Sequence, residues 1–205
     1  MGWWTDHVVP RMADRTLTGP DVDALRVRAC VGLSGLVLEV GFGSGRNVAH
    51  YPAGVSEVRA VEPSDVGWRL AQPRIAAGRV PVVRAGLDGR RLEEETDGVD
   101  AVLSTFTMCT IPDLPVALAE LRRVLRPGGV LHFAEHGRAP DARVARWQDR
   151  LQPVYGRLAG GCHLTRRVAD EIRAAGFDVQ TLESRYLPGP AVSRPFGYCF
   201  VGRAT

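Results

Sequence analysis

Short apolar runs alternate with amphipathic stretches along most of the chain. Five runs, Leu36–Val40, Glu57–Val61, Val80–Val83, Asp100–Thr105 and Gly129–Ala134, are bounded by glycine, proline or charge. That is the pattern of strands buried on both faces of a parallel sheet. Helices are predicted between them at Val66–Ala77 and Leu114–Leu125. In the second, Val116, Leu118, Leu121, Val124 and Leu125 supply the apolar side, and Arg122 and Arg123 face outward. Arg126-Pro127-Gly128-Gly129 stops that helix and turns the chain into the next strand. A longer helix is expected after Asp141, and another over Thr165–Ala175, ending at Gly176. Val179–Tyr186 and Tyr198–Gly202, joined by the proline-rich Leu187–Pro195, read as an antiparallel pair. The first thirty residues read as helical, with no strand signal. The expected fold class is α/β, a doubly wound sheet of five parallel strands closed by a C-terminal hairpin. Residues 1–33 are expected to form a helical cap or lid on a main domain of residues 34–205.

Composition narrows the partners. The chain has 205 residues, 45% hydrophobic and 24% charged, with a formal net charge of +3. All 26 basic residues are arginine, and asparagine occurs once, at Asn47. Such a skew reflects GC-rich codons, which weakens any reading of the arginines as a nucleic-acid surface. No long basic stripe with interleaved aromatics is present, so no nucleic-acid partner is expected. No apolar run reaches the roughly 18–20 residues of a membrane span. The opening Met1–His7 lacks the regions of a secretory signal. The four cysteines, Cys30, Cys109, Cys162 and Cys199, show no C-x-x-C spacing. Reduced thiols and a cytoplasmic location are expected.

The stretch Leu36–Asn47 carries the chemistry. A strand runs into Gly41, Gly43 and Gly45, after which a helix is expected to start. Glycine permits positive φ and lets a ligand approach the backbone. Glu62 follows Gly41 by 21 residues, at the end of the second strand, where a carboxylate accepts hydrogen bonds from ribose hydroxyls. A dinucleotide fingerprint, G-x-G-x-x-G, would place a third glycine where Arg46 stands. Glu39 precedes the loop; an acid there repels a pyrophosphate but suits an amino group. S-adenosylmethionine has that amino group, a sulfonium charge and no phosphate, so this pattern favours it over NAD. A ligand-free turn is the alternative.

Val37–Gly45 resembles the first motif of class I S-adenosylmethionine-dependent methyltransferases, and Val124–Gly129 resembles their later P-G-G turn. Thr107–Asp113, Glu135-His136, Trp147-Gln148 and Gly161–Arg166 together resemble one subgroup. It holds bacterial small-molecule or lipid-type methyltransferases and animal methyltransferase-like thiol S-methyltransferases. The resemblance covers about residues 34–203. It implies a Rossmann-like fold, S-adenosylmethionine as cofactor and S-adenosylhomocysteine as product. Glu39, Gly41 and Gly43 would cradle the methionine part, with Gly45 and Asn47 on the same loop. Glu62, followed by Pro63, would hold the ribose. Gly86 and Leu87 would flank the adenine, and Thr105 and Phe106 would lie beneath the sulfonium. Two departures stand out. The adenine segment reads Ala85-Gly86-Leu87-Asp88 where an acid followed by an apolar residue is usual, and the apolar anchor of the animal relatives is not seen.

On the acceptor side, His136 follows the fifth strand at the rim where ligands bind, as a base or orienting group or as a cap of the strand end. Cys162 and His163 suggest a nucleophile–base or metal pair, but no further ligands stand at metal spacing, so no metal is expected. A pocket wall or a turn suits them better. Cys109 is read as pocket lining or a small buried apolar residue. Trp3, Trp4 and His7 are read as a lid over the sulfonium or as packing of a terminal helix. Arg46 and Arg166 are the arginines placed where a ligand could feel them. The expected function is methyl transfer to a small, fairly apolar acceptor, with a thiol favoured. N- or C-methylation of a lipid headgroup or quinone and a non-catalytic S-adenosylmethionine-binding module are the alternatives.

Overall fold

The computed structural model describes residues 2–205. The apolar runs become β1 (Gly35–Val40), β2 (Val55–Val61), β3 (Val82–Gly86), β4 (Val99–Thr105) and β5 (Leu125–His136). These five pair in parallel. The C-terminal pair, β6 (Val179–Tyr186) and β7 (Tyr198–Ala204), closes one edge, with β7 antiparallel to both β5 and β6. The sheet order is β3-β2-β1-β4-β5-β7-β6.

Successive side chains of a strand point to opposite faces, and each face is covered by helices. Leu38, Val102, Leu131 and Phe133 meet Leu114, Leu118 and Leu121 of α5 (Leu114–Val124) and Ile172 of α7 (Val168–Ala174). Val37, Val58, Leu103 and Ala134 meet Leu25 and Ala29 of α3 (Pro20–Cys30) and Ala71 of α4 (Asp65–Ala77). Burying each such leucine is worth about 1.5–3 kcal/mol. The remaining helices are α1 (Trp3–His7), α2 (Val9–Thr16) and α6 (Ala142–Leu158). Of the predicted 1–33 segment, Trp3–His7, Val9–Thr16 and Pro20–Cys30 are helical; Met1 lies outside the described residues.

Strand order reverses between β1 and β4, so a crevice opens above the carboxyl ends of these two strands.

Local details differ from expectation for identifiable reasons. β3 starts at Val82, two residues later than expected, because Pro81 has no N–H for the ladder, although its carbonyl accepts from Val58. α7 starts at Val168 rather than Thr165, because Arg166 is pulled away to donate to the Met108 and Ile111 carbonyls. The glycine loop does not lead into an α-helix. A single 3₁₀ turn, Val48–His50, follows it, and Tyr51 ahead of Pro52 is held extended.

Candidate active site

The crevice is built around two buried carboxylates. Glu39, near the end of β1, accepts from Tyr51 Oη at 2.5 Å and from Asn47 Nδ2 at 2.9 Å. Burial raises Glu39 to about 7, against those two hydrogen bonds and the nearby Arg26 charge, which act downward. Glu62, beyond β2, accepts from the Gly43 and Ser64 backbone N–H groups at 2.6 and 2.7 Å. Burial also raises Glu62, opposed by those backbone donors. Neither acid forms an ion pair among the described residues.

A network ties this acid pair to the end of β4. Asn47 Nδ2 also donates to Thr105 Oγ1 at 2.9 Å. Arg26, buried on α3, donates to Asn47 Oδ1 at 3.0 Å and Thr105 Oγ1 at 2.9 Å, and lies 5.1 Å from the centre of the Phe106 ring. Its Nε has no hydrogen-bond partner among the described residues. Phe106 stands at φ 54°, a left-handed conformation that a bulky residue holds only when its surroundings enforce it. Its N–H donates to the Ala134 carbonyl at 2.8 Å.

Two glycines of the loop differ in purpose. Gly41 has φ +73°, and a Cβ there would lie 2.1–2.6 Å from Thr107 side-chain atoms, so it is required by packing. Gly43 has φ +59°, and a Cβ there would meet nothing closer than the Gly41 carbonyl at 3.9 Å, so its space is open. Gly45 is packed against Phe42 and Ala71. Gly86 accepts from the Glu62 N–H through its carbonyl, at 3.0 Å, next to the exposed Leu87. Asp88 is engaged by Arg90, and Pro63 is exposed.

Several residues outside the expected set contribute. Asp14 of α2 accepts from Ser44 Oγ at 2.7 Å and pairs with Arg46 and Arg74 at 3.0 and 3.1 Å, which fastens the N-terminal segment to the glycine loop. Arg46 is occupied by this contact. Trp3, Trp4 and His7 are exposed: the Trp3 and His7 rings lie tilted to one another with centroids 5.6 Å apart, and Trp4 Nε1 donates to the Leu158 carbonyl. Arg26 had a visible signal, since Val22, Leu25, Arg26, Ala29 and Cys30 form one buried helical stripe with an arginine in it.

This arrangement fits S-adenosylmethionine. Open space at Gly43 admits a ligand against the backbone, two unpaired buried acids suit a cationic amino acid and a ribose, and Arg26 retains a spare donor. With no α-helix N-terminus after the loop, the usual seat for a pyrophosphate is missing.

A methyltransferase domain family model matches residues 38–133. The thiol S-methyltransferase TMT1B of Homo sapiens is 33% identical over 187 residues, covering 87% of this chain and 75% of the relative. The chain belongs to the S-adenosylmethionine-dependent methyltransferases. The Rattus norvegicus thiol S-methyltransferase TMT1B is 32% identical over 174 residues, covering 82% of this methyltransferase and 69% of that protein. Among solved structures, a SAM-dependent methyltransferase from Thermotoga maritima superposes with a TM-score of 0.70 at 21% identity, covering 98% of this chain and 99% of its own. Geranyl diphosphate methyltransferase in complex with SAM gives a TM-score of 0.65 at 15% identity, covering 90% and 83%. S-adenosylmethionine is the cofactor of this methyltransferase.

The fold of the methyltransferase also joins residues that are far apart in sequence. His136 Nε2 lies 3.0 Å from Cys162 Sγ, and Cys109 completes a buried trio. The missing ligand spacing that argued against a metal is thus supplied by tertiary contact, with His136 rather than His163 as the imidazole. The neighbouring Cys109 thiol draws the Cys162 thiol below its ordinary value, and the His136 imidazole acts in the same direction. Burial would lower His136, but the Cys162 thiolate raises it above its ordinary value. His163 instead lines an outer cleft of about 700 Å³ with Arg138, Asp149, Arg166 and Asp170. No helix among the described residues is long and apolar enough to cross a membrane.

Proposed function

We propose that the protein transfers a methyl group to a small, fairly apolar acceptor, with a thiol as the favoured class. The observation that carries the cofactor side is the pair of buried, unpaired carboxylates, Glu39 and Glu62, bracketing the open space at Gly43. Support for a thiol comes from the human and rat relatives named thiol S-methyltransferases. When bound, S-adenosylmethionine supplies an electrophilic methyl group on a sulfonium.

In this reading Glu39 binds the ammonium of the methionine part, and the spare Nε of Arg26 takes its carboxylate. The Gly43 backbone, beside Gly41, Gly45 and Asn47, cradles that part. Glu62, with Pro63 beside it, takes the ribose hydroxyls, and Gly86 and Leu87 edge the adenine. Thr105 and Phe106 floor the reacting centre, whose geometry they preset through the Arg26–Asn47 network. Holding two reactants in line is worth on the order of 7–11 kcal/mol, and a thiol acceptor is reactive once it is thiolate. His136, with Cys109 and Cys162, stands on the acceptor side. Residues 1–33 act as a lid latched by Asp14. A cytoplasmic location fits the four free thiols.

A second reading, N- or C-methylation of a lipid headgroup or quinone, is favoured by another kind of relative. The ubiquinone/menaquinone biosynthesis C-methyltransferase UbiE of Syntrophotalea carbinolica is 31% identical over 186 residues, covering 82% of this chain and 76% of that protein. Calorimetry with S-adenosylmethionine and S-adenosylhomocysteine, followed by transfer of a labelled methyl group to thiols, amines, phenols and quinones, tests both readings. Transfer to carbon or nitrogen alone rejects the thiol proposal. Binding without transfer to any acceptor rejects catalysis in favour of a binding module.

A further inference from the structure

Three metal-compatible donors converge at the carboxyl ends of β4 and β5. The ligand atoms of Cys109, His136 and Cys162 all lie within 4.8 Å of one another, and all three residues are buried. They come from three separate elements: the loop after β4, the last residue of β5 and the turn after α6. The register pairs Thr105 with Ala134, so His136 and Cys109 stand two and four residues beyond that pair on the same sheet edge.

The backbone carrying these donors is held from several sides. Glu135 Oε1 accepts from Ser104 Oγ, Thr107 N and Met108 N at 2.9–3.0 Å. Arg166 donates to the Met108 and Ile111 carbonyls at 2.6 and 2.8 Å, and the Cys109 carbonyl accepts from the His163 N–H at 2.9 Å. Gln152 donates to the Cys162 carbonyl at 3.0 Å and accepts from the Leu164 N–H at 2.6 Å. Donors pinned in this way lose little freedom on binding an ion, which is what a preformed site requires.

We propose that Cys109, His136 and Cys162 bind one thiophilic divalent cation of the zinc class. Two thiolates and an imidazole select such ions over magnesium or calcium, which prefer oxygen. Tetrahedral zinc, with bonds of about 2.3 Å to sulfur and 2.0–2.1 Å to nitrogen, sets donors roughly 3.5–3.8 Å apart. The present separations, 3.0 Å for one pair and none above 4.8 Å, bracket that range and need only small side-chain movements. Binding requires both cysteines as thiolates and a neutral imidazole, so any protons these three donors hold are released to solvent, and the ion oxidation state is unchanged. Three protein donors leave a fourth position open, the arrangement of catalytic rather than structural zinc. An acceptor thiolate would occupy it, a step that rests on the thiol reading above.

The test uses the full chain, reduced and freed of metal. Zinc is titrated against a chromophoric chelator, and cobalt(II) serves as the spectroscopic probe. The expected result is one ion per chain, with thiolate-to-cobalt charge-transfer absorption and tetrahedral visible bands. Cys109→Ser and Cys162→Ser should each weaken zinc binding by roughly 100-fold or more, and Cys30→Ala should not. Circular dichroism checks the fold of each variant, and the wild-type cobalt spectrum stands without any variant. Absence of stoichiometric binding, or zinc affinity that survives the double Cys109→Ser/Cys162→Ser change, overturns the site. So does a Cys109–Cys162 disulfide that re-forms in air while the reduced protein takes up no zinc. A small thiol added to the cobalt-loaded protein should shift the charge-transfer band; an unchanged band overturns the open position. Because metal uptake is read without turnover, methyl transfer only to amines or carbons would sink the thiol reading and leave the site standing.

Discussion

Replacing Glu39 with glutamine should make the cofactor-free protein more stable at pH 8 while removing most of its cofactor affinity. Glu39 is nearly inaccessible, at 1% exposure, and burial lifts it from 4.5 to about 7. At about 1.36 kcal/mol per pH unit, keeping it ionised in the folded state costs about 3 kcal/mol. The sign follows from proton binding. Between pH 4.5 and about 7 the folded chain holds a proton that the unfolded chain has lost, so this contribution to stability falls as pH rises and levels off above about 7. Glutamine avoids the ionisation and keeps both contacts, since its carbonyl accepts from Asn47 and its amide donates to Tyr51 Oη, which is able to accept. Urea melts of wild type and Glu39→Gln at pH 5, 6, 7 and 8 should show the variant gaining up to about 3 kcal/mol relative to wild type toward pH 8, and almost nothing near pH 4.5. Taking the difference between the two proteins removes the other groups that titrate in the same range. With saturating S-adenosylhomocysteine the order should reverse, because its ammonium compensates the ionised Glu39 and has no anionic partner in the variant. A stability difference independent of pH, or a variant less stable at pH 8 without ligand, would refute the account of Glu39 as a strained anion awaiting a cation.

Other substitutions separate folding from binding. Gly41→Ala should cost about 3 kcal/mol or more in denaturant melts, since its Cβ would strike Thr107 in a left-handed backbone. Gly43→Ala should cost only about 1–2 kcal/mol, yet weaken S-adenosylhomocysteine binding in calorimetry; the opposite ranking would contradict the open cradle. Phe106→Gly relieves the backbone at φ 54° but loses a ring packed against the core and beside Arg26, so stability should fall by about 1–2 kcal/mol as cofactor affinity drops. Asp14→Ala removes partly exposed pairs worth about 0.2–1 kcal/mol each. It should leave the melting curve nearly unchanged but speed S-adenosylhomocysteine release in stopped flow and expose α1–α2 to protease.

The cofactor half of the site is readable along the chain because its parts are local. A strand running into Gly41 and Gly43, Glu39 ahead of them and Glu62 at the next strand end are fixed by short-range geometry, and alternating βα units leave few ways to arrange the sheet. Limits of a local reading appear at β3, where Pro81 delays the ladder, and after the glycine loop, where Pro52 precludes the expected helix. Arg26 is hard to single out among so many arginines, although its place on the apolar stripe of α3 marks it. The Cys109–His136–Cys162 cluster depends on longer-range contacts. Cys109, His136 and Cys162 lie 26 or more residues apart in pairs that include Cys162, and no spacing rule joins them. What the sequence determined by itself was the fold class, the glycine loop and its two acids, since propensity and periodicity act over a few residues. What only the tertiary structure decided was which thiols, imidazole and arginine share a site, because parallel sheet pairing brings the carboxyl ends of β4 and β5 together with a turn from a distant helix.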